Sequence, residues 1–217
     1  MAHTVRRLVA ALTLLAGGSA AAAFDATIGP DAIADAIRIG QSRVESVRVR
    51  YHQPYRIEVG RPPVDWVDLV TPFRRVVLAA EERARQGDRR FGQREALGVL
   101  QEQRGRLLVF VELTFHPLNV YVGIPPYVVA LAQAGSRDRA DALDIQRLPR
   151  FGPRLAGTPL PFPHVPVLPS AGQPLLGGTL VAGFDSGRLK TAAVYDVVIE
   201  EAGKELARAR VDLASLR

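Results

Sequence analysis

The chain of 217 residues is 47% hydrophobic and 23% charged, apolar enough for a sizeable core and too apolar for a disordered polymer. It has no cysteine, which excludes disulfides, thiolate nucleophiles, iron–sulfur clusters, thiolate zinc sites and a lipid-modified cysteine anchor. Its formal charge is +6, carried almost wholly by arginine, since Lys190 and Lys204 are the only lysines.

Residues 1–23 read as a secretory signal peptide. Arg6 and Arg7 form a positive n-region, residues 8–16 an apolar stretch, and residues 17–23 a small-residue run ending before Phe24. The uncharged run is diluted by Gly17, Gly18 and Ser19 and falls short of the ~20 apolar residues that a membrane span needs. No later segment reads as a span. The expected address is therefore secreted or periplasmic, in a bacterial envelope, with no transmembrane segment after signal removal. Setting Arg6 and Arg7 aside from the 28 basic residues leaves 26 against 22 acidic, or +4. These charges are scattered and form no basic run interleaved with aromatics, which argues against a nucleic-acid partner. They leave only a weak, generic attraction to anionic envelope polymers.

Gly29-Pro30-Asp31 opens a short helix, with Ile33 and Ile37 on one face and an end near Gly40. From Val44 the period changes to two. Val47, Val49 and Tyr51 alternate with Arg48, Arg50 and His52; after Gln53-Pro54, Tyr55, Ile57 and Val59 alternate with Arg56 and Glu58. That pattern predicts two half-buried strands, paired as a hairpin. Residues 64–70, with the single Trp at 66, form a short strand or a loop. Thr71-Pro72 starts a helix with a capping hydroxyl and a proline in the first turn. Phe73, Val77, Ala80 and Ala84 make its buried stripe, Arg74, Glu81 and Arg85 face away, and Glu81 pairs with Arg85. Gly87 is its C-terminal cap. A second helix over residues 93–104 turns Ala96, Leu97 and Leu100 inward, so residues 72–104 form a helical insertion.

Residues 106–116, RLLVFVELTFH, predict the central strand. Leu107, Val109, Val111, Leu113 and Phe115 share a wholly apolar face, while the other face runs from Leu108 and Phe110 to Glu112, Thr114 and His116. Strand segments follow at 120–122 and 127–132, then a polar turn at 136–141 and a weaker strand at 142–148. Residues 149–174 hold eight prolines, which bar helix and sheet interior. Leu160, Phe162, Val165, Val167 and Leu168 among them predict a segment packed along the surface. The C-terminal part reads as a strand at 179–184, a turn at Asp185-Ser186-Gly187, and a hairpin of 194–200 with 206–213. On the last strand Arg208, Arg210 and Asp212 form the solvent face, where a charge change should cost well under ~1 kcal/mol. The expected fold is mainly β with helices: an immunoglobulin-like antiparallel β-sandwich over residues 24–217, decorated by two or three helices. The Cys–Trp–Cys pattern of true immunoglobulin domains is absent.

Phe184-Asp185-Ser186-Gly187, behind Leu180-Val181-Ala182-Gly183, resembles the active-site loop of aspartic proteases. The resemblance implies two such aspartates sharing a proton, and hence a dimer for a chain with one motif. Arg188 stands where that family has a small residue, no apolar-apolar-Gly element follows at the usual distance, and Asp-Ser-Gly is also ordinary turn chemistry. Glu112 and His116 share a strand face but lie ~13 Å apart along it, too far to chelate one ion. His52, His116 and His164 show no paired metal spacing. Asp65 and Asp68 around Trp66 fit a sugar or cation site, or a core tryptophan with solvated carboxylates. Tyr121 and Tyr127 flank a Gly/Pro loop, as a recognition patch or as packing. There is no GxSxG, P-loop or dinucleotide fingerprint. No catalytic, cofactor-binding or metal residue is assigned. The expectation is a non-enzymatic protein acting by binding or structural association with an envelope protein or polymer. The alternative is a carboxylate-dependent, aspartic-type hydrolase using Asp185.

Overall fold

The computed structural model describes residues 24–116, 118–152 and 173–217. The expected signal at 1–23, His164 and most of the proline-rich segment lie outside these residues. The chain runs α1 (Pro30–Gly40), α2 (Glu45–His52), β1 (Arg56–Arg61), β2 (Val64–Val70), α3 (Pro72–Arg85), α4 (Gln93–Glu102) and β3 (Arg106–Thr114). It continues through β4 (Val128–Gln133), β5 (Arg139–Asp141), β6 (Asp144–Phe151), β7 (Leu175–Asp185), β8 (Val194–Glu201) and β9 (Lys204–Asp212). The strands form two antiparallel sheets, five-stranded in the order β1-β2-β3-β7-β6 and four-stranded in the order β5-β4-β8-β9. Among the described residues the protein is mainly β with four α-helices. No described helix is long and apolar enough to cross a membrane.

As expected, β3 is the middle strand of its sheet, and Leu107, Val109, Val111 and Leu113 are fully buried. They meet Val67 and Leu69 of β2, Leu180 and Phe184 of β7, Val129 and Leu131 of β4, and Val197 and Ile199 of β8 in one apolar cluster. Both sheets therefore give their inner faces to a single core. β7 begins at Leu175, earlier than the sequence pattern suggests, because Gly177 and Gly178 let it run close between β3 and β6. A Cβ on Gly177 would stand 2.0 Å from the Leu113 carbonyl oxygen. The helices keep a smaller core of their own, in which Ile33 and Ala36 of α1 meet Phe73, Val77 and Ala80 of α3. Gly40 permits that approach, since a Cβ there would lie 2.4 Å from the Val77 carbonyl oxygen.

Several expectations are overturned. Residues 45–52 form a helix and not a strand, and the hairpin here is β1 with β2. Helix α2 buries no residue; Glu45 in its first turn and Arg50 and His52 in its last match the helix dipole. Contacts from Arg48 and His52 to Glu81 hold it against α3. Glu81 is thus not Arg85's partner; Arg85 pairs with Glu82. Arg74 does not face away but is buried, and Leu97 is exposed rather than inward. Trp66 is not a core residue. A register shift between Val64 and Trp66 turns Asp65 and Trp66 outward, where the Arg56 guanidinium lies 3.9 Å from the indole centroid. Residues 120–122 are not a strand, and β5 arises within the expected polar turn. Pro149 lies inside β6, which is an edge strand, the place in a sheet where proline is tolerated.

The β8–β9 hairpin forms as expected, but its outer face is not merely solvated. Asp196 of β8 is buried and accepts from Arg210 Nε at 3.1 Å and Arg208 at 3.0 Å. The hydrogen bond from Arg210, ahead of that from Arg208, holds the Asp196 carboxyl below the ordinary range. A lowered folded value contributes stability above the unfolded value of ~4, lost as pH falls through the folded one. Arg210→Asp should therefore cost about 1–3 kcal/mol at neutral pH, because it leaves Asp196 facing a second carboxylate. Urea melts should show that deficit shrinking as the pH is taken well below ~4, where both carboxyls protonate.

Candidate functional site

Asp185 ends β7, opposite Arg106 of β3. Its carboxylate accepts from the Gly187 N–H at 2.9 Å and lies 3.4 Å from Arg188, the geometry of a turn closed by its own aspartate. It lines a cleft of about 350 Å³ with Asp138, Arg139, Asp141, Arg188 and Lys190. The carboxylates of that cleft meet cations and not each other. Asp138 is 3.2 Å from Lys190, and Asp141 is 2.9 Å from Arg139, which also grips Glu200 with both terminal nitrogens. Lys190 holds the Asp138 carboxyl below its usual value, and Arg139 does the same for Glu200. The proton-sharing dyad that the resemblance implies would set Asp185 against the same residue of a second copy, with one of the two carboxyls pushed up. Ser186 is buried behind the turn, away from the cleft lining.

A second cleft of about 400 Å³, which the sequence pattern does not announce, is lined by Arg48, His52, Arg56, Asp68, Arg74 and Glu81. Arg74 Nε donates to His52 Nδ1 at 3.3 Å, which leaves Nε2–H to donate to Glu81 at 3.0 Å. Arg74 also pairs with Asp68 at the end of β2 and stands over the Tyr55 ring. Both nitrogens of His52 are thus engaged, and a general base needs one free to meet its substrate. The chain Glu81–His52–Arg74–Asp68 is a tie between α2, α3 and β2. Its members are 6 to 29 residues apart, so no local motif betrays it.

The outer face of β3 is a network rather than a solvated strand end. Glu112 accepts from Arg150 and from the Thr179 hydroxyl, each at 2.7 Å, while the Thr114 hydroxyl donates to Asp65 at 2.6 Å. His116 is not drawn toward Glu112; its Nδ1 accepts from the Leu118 N–H at 3.1 Å. Among the described residues no three His, Asp or Glu side chains are grouped so as to hold a metal ion.

The remaining feature is apolar. Beyond β3 the chain turns at Leu118 and passes through Asn119, Val120 and Tyr121 to a bend at Val122. Leu118, Val120 and Val122 project into solvent at 84%, 92% and 95% exposure. Asn119 and Tyr121 turn the other way. The Asn119 amide donates to the carbonyls of His116 and Leu175, both at 2.7 Å, and the Tyr121 ring packs edge-on against Phe115 at 5.1 Å. Beside this tip lies a groove of about 440 Å³, walled by Pro62, Pro63, Phe115, Tyr121, Tyr127 and Leu206. Of the two tyrosines flanking the Gly/Pro loop, Tyr127 is buried packing, and burial pushes its phenol up. Tyr121 is partly open. The most exposed residues are the aliphatics Leu118, Val120 and Val122 on either side of Tyr121, whose signal was present as an alternation but reads as a strand.

No family model, curated protein or solved structure matches this chain. What each cleft and surface does must therefore follow from its own chemistry. The two polar clefts are closed networks of ion pairs. The tip presents three aliphatic side chains to water.

Proposed function

We propose that this is an exported, non-enzymatic binding module of the bacterial envelope, immunoglobulin-like in architecture, which associates with its partner through the tip at residues 118–122. The observation that carries the reading is the tip itself: three aliphatic side chains almost fully exposed on a backbone anchored from beneath by Asn119 and Tyr121. Scattered exposed aliphatics need no explanation, whereas a contiguous, pinned set marks an interaction surface. The layout of residues 1–23 supports the address, and the common core of two antiparallel sheets supports the sandwich. The cation-paired carboxylates around Asp185 support association over catalysis.

The aspartic-type hydrolase with Asp185 as its carboxylate is the reading to be tested against. If Asp185 only closes its turn, Asp185→Asn keeps the acceptor oxygen and should cost within ~1 kcal/mol of stability. Wild type and variant, assayed side by side on denatured protein between about pH 3 and 6, should both fail to cleave it. Cleavage by the wild type alone would overturn the module, because an amide cannot serve as a general base.

A further inference from the structure

We infer that the cleft beside Asp185 binds a small zwitterion, an aliphatic amino acid or a dipeptide, with its ammonium at Asp185 and its carboxylate at Tyr195 and Lys190. This goes beyond the tip reading and does not depend on it. The ion pairs of the cleft close among themselves, yet some hydrogen-bonding groups in its lining are left unspent. Tyr195 lines the cleft and is only 4% exposed. Its hydroxyl accepts from the Lys190 N–H at 2.9 Å, while its own proton has no acceptor among the described residues. A buried hydroxyl with an idle donor is costly, and an acceptor on a ligand relieves that cost. The Lys190 ammonium donates to Gln133 at 2.9 Å and to Asp138 at 3.2 Å, and has a third proton to give. Two donors therefore await one acceptor group.

Where β7 ends, the same lining offers an acceptor. Asp185 spends Oδ1 on the Gly187 N–H, and its Oδ2 faces the Arg188 guanidinium at 3.4 Å, a side chain 80% exposed. An ion pair so open to water is worth little and yields to a ligand cation. Arg139 is divided between Asp141 and Glu200, so on this side the carboxylates of Asp141, Asp185 and Glu200 outnumber the guanidinium groups of Arg139 and Arg188. Asp138 and Lys190, by contrast, balance one another. The excess draws an ammonium to Asp185 and leaves the ligand's acceptor for Tyr195 and Lys190. A purely cationic ligand would leave the Tyr195 donor idle, and a purely anionic one would crowd the carboxylates. Ala140, Leu143 and Leu189 complete the lining. Leu143 is pinned by its N–H to the Gly183 carbonyl at 2.8 Å yet is 56% exposed, so an aliphatic side chain laid on it takes apolar surface out of water. A volume of about 350 Å³ is at the small end of ligand sites and suits one or two residues rather than a longer peptide.

Isothermal titration calorimetry of the whole protein with leucine and with leucyl-leucine is the test, and the tighter of the two gives the length of the ligand. N-acetyl-leucyl-leucine lacks the ammonium and leucyl-leucine amide lacks the carboxylate. Each should bind at least about tenfold more weakly than leucyl-leucine, the worth of one hydrogen bond to a charged group. Asp185→Asn keeps the oxygen that closes the turn and puts an NH2 donor in place of the free one. It should weaken leucyl-leucine at least about tenfold and leave the acetylated probe as it is on the wild type, because that probe has no ammonium to lose. Tyr195→Phe would also strip the Lys190 N–H of its acceptor, so the carboxylate end is probed from the ligand side. Glu102→Gln, exposed at the end of α4, should bind as the wild type does. The inference is overturned if neither leucine nor leucyl-leucine binds at millimolar concentration, if the acetylated or amidated probe binds as tightly as leucyl-leucine, or if Asp185→Asn, folded by its urea melt, binds unchanged. None of these results bears on the tip, whose partner is a separate question.

Discussion

Val111→Asp should cost the protein several kcal/mol, a large share of the ~5–15 kcal/mol that holds a domain together. Val111 has no exposure at all and sits in register between Val67 of β2 and Leu180 of β7, on the face that both sheets bury. A carboxylate there meets no donor. It must either be desolvated as an ion or hold its proton, so its folded pKa is raised above the unfolded value of ~4. A raised carboxyl value means that the penalty is small at acid pH and grows as pH rises through and above ~4. Urea melts at neutral pH should therefore show the largest loss, and the gap to wild type should narrow toward pH ~4. Arg137→Asp, exposed in the turn between β4 and β5, should stay within about 0.5 kcal/mol at either pH. Equal tolerance of the two would mean that β3 does not lie between the sheets.

That strand could be read from sequence because five apolar residues alternate without interruption, and such a face has to be buried by something. Two other segments carry the same period and end differently. Residues 47–52 alternate valine or tyrosine with arginine or histidine and become helix α2, and residues 118–122 alternate aliphatics with Asn119 and Tyr121 and become the exposed tip. The period says that side chains could take opposite sides; it does not say whether a strand edge is available to pair with. β1 takes β2 as its partner through the turn at Pro62 and Pro63, which leaves α2 beside α3 and not on the sheet. Among the described residues no strand pairs with the tip, and Asn119 uses its side chain, rather than a ladder, to reach Leu175. Partner availability is a long-range property, and local pattern is silent on it. The turn at Asp185 was legible for the converse reason: an Asp-Ser-Gly turn closes on itself, with no distant partner required.

Arg74 shows the same limit in energetic form. On a helical wheel it falls outside the stripe of Phe73, Val77 and Ala80, yet its side chain is only 6% exposed. It is buried because the chain reverses between β2 and α3, bringing Asp68 and the Leu69 carbonyl over the first turn of the helix. Arg74→Met keeps most of the stem that packs beside Tyr55 and removes all its donors. It should cost about 3–5 kcal/mol, because Asp68, the Leu69 carbonyl and His52 Nδ1 lose their partner together. Arg74→Lys keeps the charge but cannot hold Asp68 from two nitrogens while reaching His52, and should recover only part of that loss. The decisive comparison is Asp68→Ala/Arg74→Met. Removing both ions leaves no uncompensated charge, so the double variant should be more stable than Arg74→Met alone, by 1 kcal/mol or more in urea melts. If the double variant were instead the sum of its two single variants, Asp68 and Arg74 would not be coupled. The second cleft would then be an open surface of independent charges rather than the tie that holds α2 and α3 to the sheet.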